Sequence, residues 1–347
     1  MPRKVSFTVL QSVYRKDNPA FLAQSLQSIA GNTLLPEKVV LVKDGTLTSE
    51  LESVIAEWQE RLPLHAVGYE KNKGLAHALN FGLQFVDTEL VARMDSDDIC
   101  LPERFEKQVA QFMADDALTV LGGGIEEFYS RADGTEFRRI RLYPKRTTKH
   151  SASLYRGTPL AHPTVMMRTE VLRRFGYSER TRCNEDIDLW MRLLASGGTI
   201  RTLQEPLLRF RITEGTFRRR SSAKAFDEYR IYARNLHAFN GVSAKDALLL
   251  ARLASRFLPA CLSRRLYLSR RRQNLFKENL MKVKSLGGQV FMKNGHLFEA
   301  LLQFEENGIQ MIKAVQLDST AEYVVEVPLA DVELFRTSSG AEIVLSS

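Results

Sequence analysis

Cysteine is scarce in this chain of 347 residues, which contains three: Cys100, Cys183 and Cys261. No two of them have the close spacing of a metal motif, and so few distant cysteines argue against the disulfide framework of small secreted domains. We therefore expect a protein of a reducing compartment. Its length is sufficient for one large domain with a sizeable hydrophobic core and a smaller second domain.

Long apolar stretches are also missing. No uninterrupted apolar run reaches the ~20 residues that a membrane-spanning helix needs, and residues 7–10 are too short for the hydrophobic region of a signal peptide. The sequence therefore predicts a cytoplasmic protein, either unattached or held peripherally at the inner face of the membrane.

Acidic residues are outnumbered, because 49 Lys and Arg against 41 Asp and Glu give a net charge of +8. A basic chain favours anionic partners such as nucleotides, phosphorylated lipids, membrane surfaces or nucleic acid. No acid occurs between Arg252 and Lys277, and residues 261–272 mix arginine with bulky apolar side chains. This pattern predicts an amphipathic helix that binds an anionic membrane surface, or a helix packed on the rest of the chain. No nucleic-acid fold signature accompanies the arginines, so we expect no nucleic-acid partner.

The first hundred residues alternate between two periodicities. Short apolar runs typical of buried strands alternate with helical patterns, and Asn18 followed by Pro19 is an N-cap signal for the first of these helices. The predicted strands are residues 5–10, 38–42, 65–69 and 90–94. The order strand, helix, strand predicts an α/β protein with a mostly parallel sheet and right-handed crossovers.

Polar residues follow these strands or open the helices after them. They are Tyr14, Asp44, Lys73, Gly74, Asp95, Asp97 and Asp98. In such a sheet the carboxyl ends of the strands form the edge where a nucleotide binds. Each residue also has a structural alternative: Tyr14 could cover the core, Asp44 could belong to a plain turn, and Lys73 could be an ordinary surface lysine.

Three carboxylates occur within four positions where the fourth predicted strand ends, at Asp95, Asp97 and Asp98. Carboxylates this close repel one another unless a cation lies between them. Oxygen ligands of this type suit a hard divalent cation that also binds phosphate. The alternative is a helix N-cap before Pro102, but a cap needs one aspartate and not three.

The middle of the chain adds a second group of acids. After a helix at 104–113, a strand at 118–122 and a basic loop at 138–149, Asn184 is the predicted N-cap of a helix whose first turn carries Glu185, Asp186 and Asp188. Acids in a first turn stabilise the helix dipole. The functional interpretation is that one of them projects into the cleft as a general base.

The C-terminal third has a different pattern of predicted helices and strands. Helices are predicted at 226–239 and 244–257, and strands from about residue 281, where Asn-Gly pairs at 294–295 and 307–308 separate apolar runs and indicate hairpins. We therefore predict three parts: a catalytic domain at 1–240, a basic amphipathic helical segment at 241–280, and a small antiparallel β module at 281–347.

Taken in order, the motifs resemble those of the family 2 glycosyltransferases of the GT-A fold, of the type that makes bacterial surface polysaccharides. The resemblance covers about residues 5–225. The matching stretches are Ser-Val-Tyr-Arg-Lys-Asp-Asn at 12–18, Val-Leu-Val-Lys-Asp-Gly at 40–45, Asn-Lys-Gly-Leu-Ala at 72–76, Arg-Met-Asp-Ser-Asp-Asp at 93–98, Ala-His-Pro-Thr at 161–164, Glu-Asp-Ile-Asp-Leu-Trp at 185–190 and Leu-Arg-Phe-Arg at 208–211.

The resemblance implies a Rossmann-like sheet and specific roles. Tyr14 would lie near the base and ribose of a UDP-sugar, Asp44 would accept a hydrogen bond from the uracil N–H, and Lys73 and Gly74 would lie against the nucleotide. Asp95 and Asp97 form the DxD motif, in which Asp97 is the principal ligand of Mg²⁺ or Mn²⁺. Asp186 would be the base of an inverting transfer.

Two positions depart from the family pattern or stay open. Many relatives have a histidine that completes the metal shell, but residues 208–214 contain none, so that Arg211 or the run at 218–220 could hold the diphosphate instead. That run could equally be a solvated surface. His162 could approach the acceptor or be a structural histidine before Pro163.

The predicted function is transfer of a sugar from a nucleoside diphosphate sugar to a hydroxyl of a glycan acceptor, with a lipid-linked glycan expected. One alternative is a transferase that uses a polyprenyl phosphate as acceptor. The other is a protein that binds nucleotide sugars without turnover.

Overall fold

The computed structural model describes residues 5–130, 136–181, 184–213, 222–255, 257, 284–293, 296–306, 309–316, 324–328 and 343–345. The chain forms two compact units, Met1–Leu268 and Ser269–Ser347.

The N-terminal part of the first unit alternates strands and helices as the periodicity predicts. Its elements are β1 (Phe7–Val13), α1 (Pro19–Ala30), β2 (Lys38–Asp44), α2 (Ser49–Gln59), β3 (Leu64–Tyr69), α3 (Leu75–Leu83) and β4 (Leu90–Met94). The Asn18 side chain caps α1 by accepting hydrogen bonds from the backbone N–H groups of Ala20 and Phe21, as predicted. Parallel pairing of β3, β2, β1 and β4 confirms the predicted parallel sheet.

The rest of the first unit extends this sheet. Its elements are β5 (Ile99–Cys100), α4 (Arg104–Ala114), β6 (Val120–Ser130), β7 (Glu136–Arg141), β8 (Arg146–Thr147), β9 (Met166–Arg168), α5 (Thr169–Phe175), α6 (Glu185–Ala195), β10 (Ile200–Arg211), α7 (Ser222–Asn240) and α8 (Asp246–Ser255). The ten strands run in the order β3-β2-β1-β4-β9-β6-β10-β5, with β7 beside β6 and β8 beside β10.

Helices cover both faces of the sheet. Alternate residues of each central strand therefore pack in two different hydrophobic cores. Val39 and Leu41 of β2 pack in one buried cluster with residues of α1, α2 and α4. Val40 and Val42 pack in the other with residues of α3, α6, α7 and α8. A strand buried on both faces is mostly apolar, which is why the apolar runs of β2 and β4 predicted strands. Among the described helices, none combines the length and the apolarity that crossing a membrane would require.

One prediction in this unit is wrong. The basic stretch that begins at Arg138 was expected to be a solvated loop, but its first four residues belong to β7, which pairs antiparallel with β6. Arg139 pairs there with the fully buried Glu127. A charged strand is stabilised by this partner from elsewhere in the chain, which local periodicity does not reveal.

The second unit contains a five-stranded sheet of order β14-β13-β12-β11-β15. Its strands are β11 (Lys284–Lys293), β12 (His296–Glu306), β13 (Ile309–Gln316), β14 (Val324–Pro328) and β15 (Ile343–Leu345). The strands flanking each Asn-Gly pair are antiparallel neighbours, as predicted, while the pairs themselves lie outside the described residues. Residues 296–306 form one strand, β12, with a register irregularity after Ala300 where it pairs with β13. The basic helix predicted at 261–272 also lies outside the described residues.

Candidate active site

Three aspartates cluster directly after β4. One carboxylate oxygen from each of Asp95, Asp97 and Asp98 lies within 4.8 Å of the other two. Asp98 is buried, and its Oδ1 accepts a hydrogen bond of 2.9 Å from the backbone N–H of Arg211. Its Oδ2 is buried without a hydrogen-bond partner among the described residues. Burial chiefly, and the charges of Asp97 and Asp95 next, raise the pKa of Asp98 well above its ordinary value.

These residues fit a divalent cation. A buried carboxylate oxygen without a donor is costly, and a cation bound beside it would remove that cost as well as the repulsion within the cluster. The ligand atoms available are all carboxylate oxygens, the set that Mg²⁺ and Mn²⁺ prefer. Asp98 belonged to the predicted carboxylate cluster, although only Asp97 was predicted as the principal metal ligand, and the structure places all three carboxylates together.

Side chains from β1 and α1 hold the main chain of the loop that carries the three aspartates. The carbonyl oxygen of Asp95 accepts hydrogen bonds from Gln11 Nε2 at 2.9 Å and from Ser25 Oγ at 3.0 Å. Gln11 also donates to Ser25, at 2.8 Å, and both side chains are fully buried. These hydrogen bonds fix the backbone of the loop without using the carboxylates of the cluster.

A second contact joins the cluster to the loop after β1. Ser96 Oγ donates to Asp17 Oδ2 at 2.9 Å, and the same oxygen accepts the backbone N–H of Tyr14 at 3.1 Å. Burial raises the pKa of Asp17 to about 6. Tyr14, predicted to lie near the nucleotide, is 39% exposed at this position. Asp17 thus links the Tyr14 loop to the acid cluster, a role that was not predicted from the sequence.

Arg211 reaches the cluster from the end of β10. Its Nε donates to the carbonyl oxygen of Asp97 at 2.8 Å, and its Nη2 donates to Gln24 at 2.6 Å. The guanidinium also lies over the rings of Phe21 and Phe128, at 4.0 and 4.7 Å from their centroids. A cation is therefore fixed beside Asp97, and it comes from the stretch 208–214, which lacks the histidine expected from the family resemblance. The arginines at 218–220 lie outside the described residues.

Asp44 organises the loop that precedes α3. Its Oδ1 accepts hydrogen bonds from Tyr69 Oη at 2.9 Å and from the Lys73 N–H at 2.7 Å. Its Oδ2 accepts from Asn72 Nδ2 at 2.8 Å and from the Gly74 N–H at 3.0 Å. Gly74 has a φ of +91°, which favours glycine, and it is the N-cap residue of α3. The structure therefore brings Asp44, Lys73 and Gly74 together, as predicted for one end of the sheet.

Two aspartates of helix α6 have different surroundings. Asp188 Oδ2 accepts a hydrogen bond from Arg192 Nε at 2.6 Å, so this carboxylate belongs to a local ion pair. Asp186 has a pKa raised to about 7, chiefly by burial and next by the charge of Glu185. Burial also raises the pKa of Glu185. A carboxyl group that titrates near neutral pH is suited to accept a proton, whereas Asp188 is suited to stabilise the helix. Asn184 is the N-cap residue as predicted, but its side chain makes no cap hydrogen bond.

Arg93 is a buried cation that interacts with both groups of acids. Its side chain pairs with Asp95. Its charge also lowers the pKa values of Asp98 and of Glu185 and Asp186, although burial and neighbouring acids outweigh it in each. Arg93 belonged to a motif of the family resemblance, but no role was predicted for it. A charged residue inside an otherwise apolar strand was the signal that could have identified it.

His162 has a structural environment. Its Nε2 lies 2.9 Å from Tyr177 Oη, and its ring packs edge-on against Trp190 of α6. Burial chiefly, and the charge of Arg93 next, lower its pKa well below the ordinary value. A buried neutral histidine with a tyrosine partner favours the structural alternative over contact with an acceptor.

The sequence of this chain is similar to those of known glycosyltransferases. The family described as Glycosyl transferase family 2 matches residues 8–176. The UDP-Gal:alpha-D-GlcNAc-diphosphoundecaprenol beta-1,3-galactosyltransferase of Escherichia coli is 36% identical over 259 residues, which are 73% of this chain and 92% of that protein.

Two solved structures share the fold. TarS 1–349 of S. aureus, in complex with UDP, superposes with a TM-score of 0.53 at 20% identity, over 80% of this chain and 79% of that one. The mannosyltransferase PcManGT of Pyrobaculum calidifontis, in complex with GDP-Man and Mn²⁺, gives a TM-score of 0.51 at 17% identity, over 80% and 85%. The predicted fold, a GT-A α/β fold, is confirmed.

Proposed function

Because the chain belongs to glycosyl transferase family 2, we propose that it transfers a sugar with inversion from a UDP-sugar to a hydroxyl of a glycan acceptor. The observation that carries the proposal is that the protein has both an acid cluster suited to a cation and a separate carboxyl group, Asp186, whose pKa is about 7. An inverting displacement needs these two parts on opposite sides of the reacting carbon.

We assign the nucleotide to the edge formed by Tyr14, Asp44, Lys73 and Gly74. Asp44 already accepts four hydrogen bonds within the protein, two on each oxygen. A hydrogen bond from uracil would therefore share or displace one of these donors, since a carboxylate oxygen has two lone pairs. In this proposal Asp44 acts first by fixing the Lys73–Gly74 backbone against the nucleotide, and a contact with uracil comes second.

The diphosphate belongs beside Asp97. Asp97 and Asp98, with Asp95 next to them, would hold Mg²⁺ or Mn²⁺, which supplies Lewis-acid stabilisation of the charge on the departing diphosphate. Mn²⁺ in the fold relative PcManGT supports this choice of ion. The guanidinium of Arg211, which Gln24 and the Asp97 carbonyl hold in position, would bind a phosphate oxygen.

Asp186 accepts the proton of the acceptor hydroxyl in this mechanism. The hydroxyl oxygen forms the new bond to the anomeric carbon while the bond to the diphosphate oxygen breaks on the opposite face. General-base catalysis of this kind contributes ~10²–10⁴ in rate. A raised pKa makes Asp186 a stronger base than an ordinary aspartate, and above pH 7 it is still mostly ionised.

The acceptor that we propose is a lipid-linked glycan in bacterial surface polysaccharide synthesis. The name of the E. coli relative specifies a sugar on a diphosphate lipid as acceptor, which supports this choice. A polyprenyl phosphate is the less favoured acceptor. Its phosphate is already an anion at neutral pH and needs no general base, so Asp186 would have no function with it.

A contact with an anionic membrane surface stays a prediction. It gains support from apolar side chains exposed on and before α8, where Val242 is 83%, Leu248 43% and Leu250 53% exposed. Side chains of this kind next to a basic stretch are typical of surfaces that lie in a lipid interface.

The experiment that tests the function is a donor screen. Purified protein is incubated with Mn²⁺ and a panel of UDP- and GDP-sugars, without acceptor, and release of the nucleoside diphosphate by slow hydrolysis is measured. We expect release from a UDP-sugar, and loss of release in Asp97→Ala and in EDTA. Binding of a nucleotide sugar with no release of nucleoside diphosphate, either in this screen or after acceptors are added, would favour the non-catalytic alternative.

A further inference from the structure

Helix α8 reverses the usual arrangement of charged and apolar side chains. Its two charged residues, Asp246 and Arg252, are partly buried, whereas Leu248 and Leu250 are 43% and 53% exposed. The other exposed residues of the helix are small: Ala247, Ala251, Ala254 and Ser255. A surface helix of a globular protein has its charged residues towards water and its apolar residues towards the core. The outer face of α8 is therefore suited to an apolar environment.

The charged residues of α8 have their partners on α7. Arg252 pairs with Glu228, and its guanidinium lies 4.4 Å from the centroid of the Tyr232 ring. At the other end of α8, Asp246 Oδ1 lies 3.2 Å from His237 Nε2. The two helices therefore form an antiparallel hairpin. These contacts fix the rotation of α8 about its own axis, so its apolar residues face outward.

The apolar surface continues beyond α8. Phe257 is two residues past the end of the helix, and its ring centroid lies 5.5 Å from that of Phe226 on α7. Val242 is exposed in the turn between the helices. Nine large apolar side chains are exposed in the described part of the chain, and five of them form what we call the hairpin surface: Phe226, Val242, Leu248, Leu250 and Phe257. Exposed apolar side chains concentrated in this way mark an interaction surface.

The charge around the hairpin surface is basic. The side chains of Arg230 and Arg234 on α7 are 78% and 72% exposed, and Lys245 is exposed before α8. No acid occurs between Arg252 and Lys277. Apolar side chains with cations beside them suit the interface of an anionic bilayer, where the apolar groups enter the headgroup region and the cations meet lipid phosphates. A symmetric dimer through this surface would instead bring like charges into one interface.

The hairpin packs on the helix that carries Asp186. Asn184, the N-cap residue of α6, donates from Nδ2 to the carbonyl oxygen of Lys224 at 3.2 Å. This carbonyl is two residues before Phe226 of the hairpin surface. Helices α6, α7 and α8 also share one buried core. The hairpin surface therefore belongs to the side of the catalytic unit at which the acceptor hydroxyl would meet Asp186.

We propose that the hairpin surface lies in the interface of an anionic lipid bilayer and orients the Asp186 side of the catalytic unit towards the lipid. In this orientation the sugar of a lipid-linked acceptor reaches Asp186 while its lipid chain stays in the bilayer. The orientation rests on the proposed function, because it takes Asp186 as the base and a lipid-linked glycan as the acceptor. The contact with lipid does not depend on that function, and it does not require the helix predicted at 261–272.

Binding to lipid vesicles tests the proposal. The full-length protein, without nucleotide, is floated with vesicles of phosphatidylcholine alone or of phosphatidylcholine mixed with phosphatidylglycerol. Leu250→Asp is compared with Leu35→Asp, a matched control, because Leu35 is 54% exposed and follows α1, whose core lies on the opposite face of the sheet. We expect the wild type and Leu35→Asp to bind the anionic vesicles alike, and Leu250→Asp to bind them about 10- to 100-fold more weakly. Both melting temperatures should stay within about two degrees of the wild type.

Several outcomes would overturn the proposal. They include no binding of the wild type to anionic vesicles, and equal binding by the wild type and Leu250→Asp. A dimer that Leu250→Asp dissociates in analytical ultracentrifugation would assign the hairpin surface to a second copy of the chain. A much lower melting temperature in Leu250→Asp than in Leu35→Asp would show that another part of the chain covers the surface. Vesicle binding as expected, with no UDP released in the donor screen, would contradict the proposed function alone.

Hydrogen–deuterium exchange of the wild type tests the same surface without a variant. We expect peptides that cover 242–257 to exchange about threefold or more slowly when anionic vesicles are added. Peptides that cover 31–37 and α2, from the opposite face of the sheet, are the internal control and should not change. Protection of the control peptides in place of the hairpin would show that the protein binds lipid through its other side.

Discussion

Asp44 and Asp98 are both buried aspartates at the same edge of the sheet. Asp44 is the last residue of β2 and Asp98 follows β4, and these two strands flank β1. Asp44 accepts four hydrogen bonds from its own protein. Asp98 accepts one through Oδ1, while its Oδ2 has no partner among the described residues. The first carboxylate is thus part of the scaffold, whereas the second is suited to a ligand.

The same contrast recurs on α6. Asp188 is paired with Arg192, whereas Asp186, two residues earlier, has a pKa raised by burial. Residue type and burial are therefore poor guides to the role of an acid in this protein. The number of donors that the fold supplies to each carboxylate is the better guide, and the predictions below test it.

The largest effect is expected from Asp186→Asn. Turnover should fall by about 10²–10⁴-fold because the amide cannot accept the proton, while affinity for a UDP-sugar is retained. Asp188→Asn is the matched control on the same helix, and we expect its turnover to stay within about threefold of wild type, with a small loss of stability from the ion pair. Steady-state rates and calorimetric titration provide both measurements. Equal activity in the two variants would remove Asp186 from its role.

Asp98→Asn should separate stability from activity. The amide keeps an acceptor for the Arg211 N–H and removes a buried charge that lacks a second partner, so in EDTA the melting temperature should rise by about a few degrees. Loss of an anionic ligand should lower Mn²⁺ affinity, and turnover with it, by about 100-fold or more. Thermal melts with and without Mn²⁺ test this, since Mn²⁺ should stabilise the wild type and not the variant. A lower melting temperature in EDTA would show that Asp98 belongs to the scaffold.

The pH dependence follows from the pKa of Asp186, which is raised to about 7. A base acts when it has lost its proton, so kcat/KM should be constant above this value and fall about tenfold for each pH unit below it. An ordinary aspartate would give this fall only below about pH 4. A pH–rate profile of the wild type between pH 5 and 9 measures the midpoint, and a profile that is flat down to pH 5 would contradict the assignment.

Asp44→Asn should act mainly on stability, in the opposite direction to Asp98→Asn. An asparagine has one acceptor oxygen in place of two, so at least one of the Lys73 and Gly74 N–H groups or the Asn72 side chain loses its partner. We expect a loss of about 1–3 kcal/mol in the free energy of unfolding, measured by chemical denaturation without nucleotide. If Asp44→Asn were as stable as the wild type and only UDP binding fell, Asp44 would be a ligand residue and not part of the scaffold.

Much of the fold could be predicted from the sequence because its signals are local. The apolar runs of β2 and β4, the Asn18 cap and the glycine before α3 each depend on neighbouring residues alone. The segment at 138–141 could not be predicted, since β7 depends on pairing with β6 and on the buried Glu127. Local periodicity covers only a few neighbouring residues, so it does not reveal strand pairing or ion pairs with residues far away in the sequence.

The candidate site divides in the same way. Asp44, Lys73, Gly74, Asp95 and Asp97 follow strands or open helices, so their meeting at one edge was predictable from topology. The links between these points were not. The Ser96–Asp17 hydrogen bond and the Arg93–Asp95 pair join side chains whose orientation depends on the completed fold. The difference between Asp186 and Asp188 likewise depends on burial and on the Arg192 partner.

One detail of the acid loop has a consequence for protein engineering. Gln11 and Ser25 hold this loop through the main-chain carbonyl of Asp95 and not through its carboxylate. Any residue at position 95 offers the same carbonyl, so the loop backbone should survive substitutions there. A library at position 95 can therefore vary the side chain at the acid cluster without loss of the loop conformation. The buried glutamine and serine that hold the loop are the positions to leave unchanged.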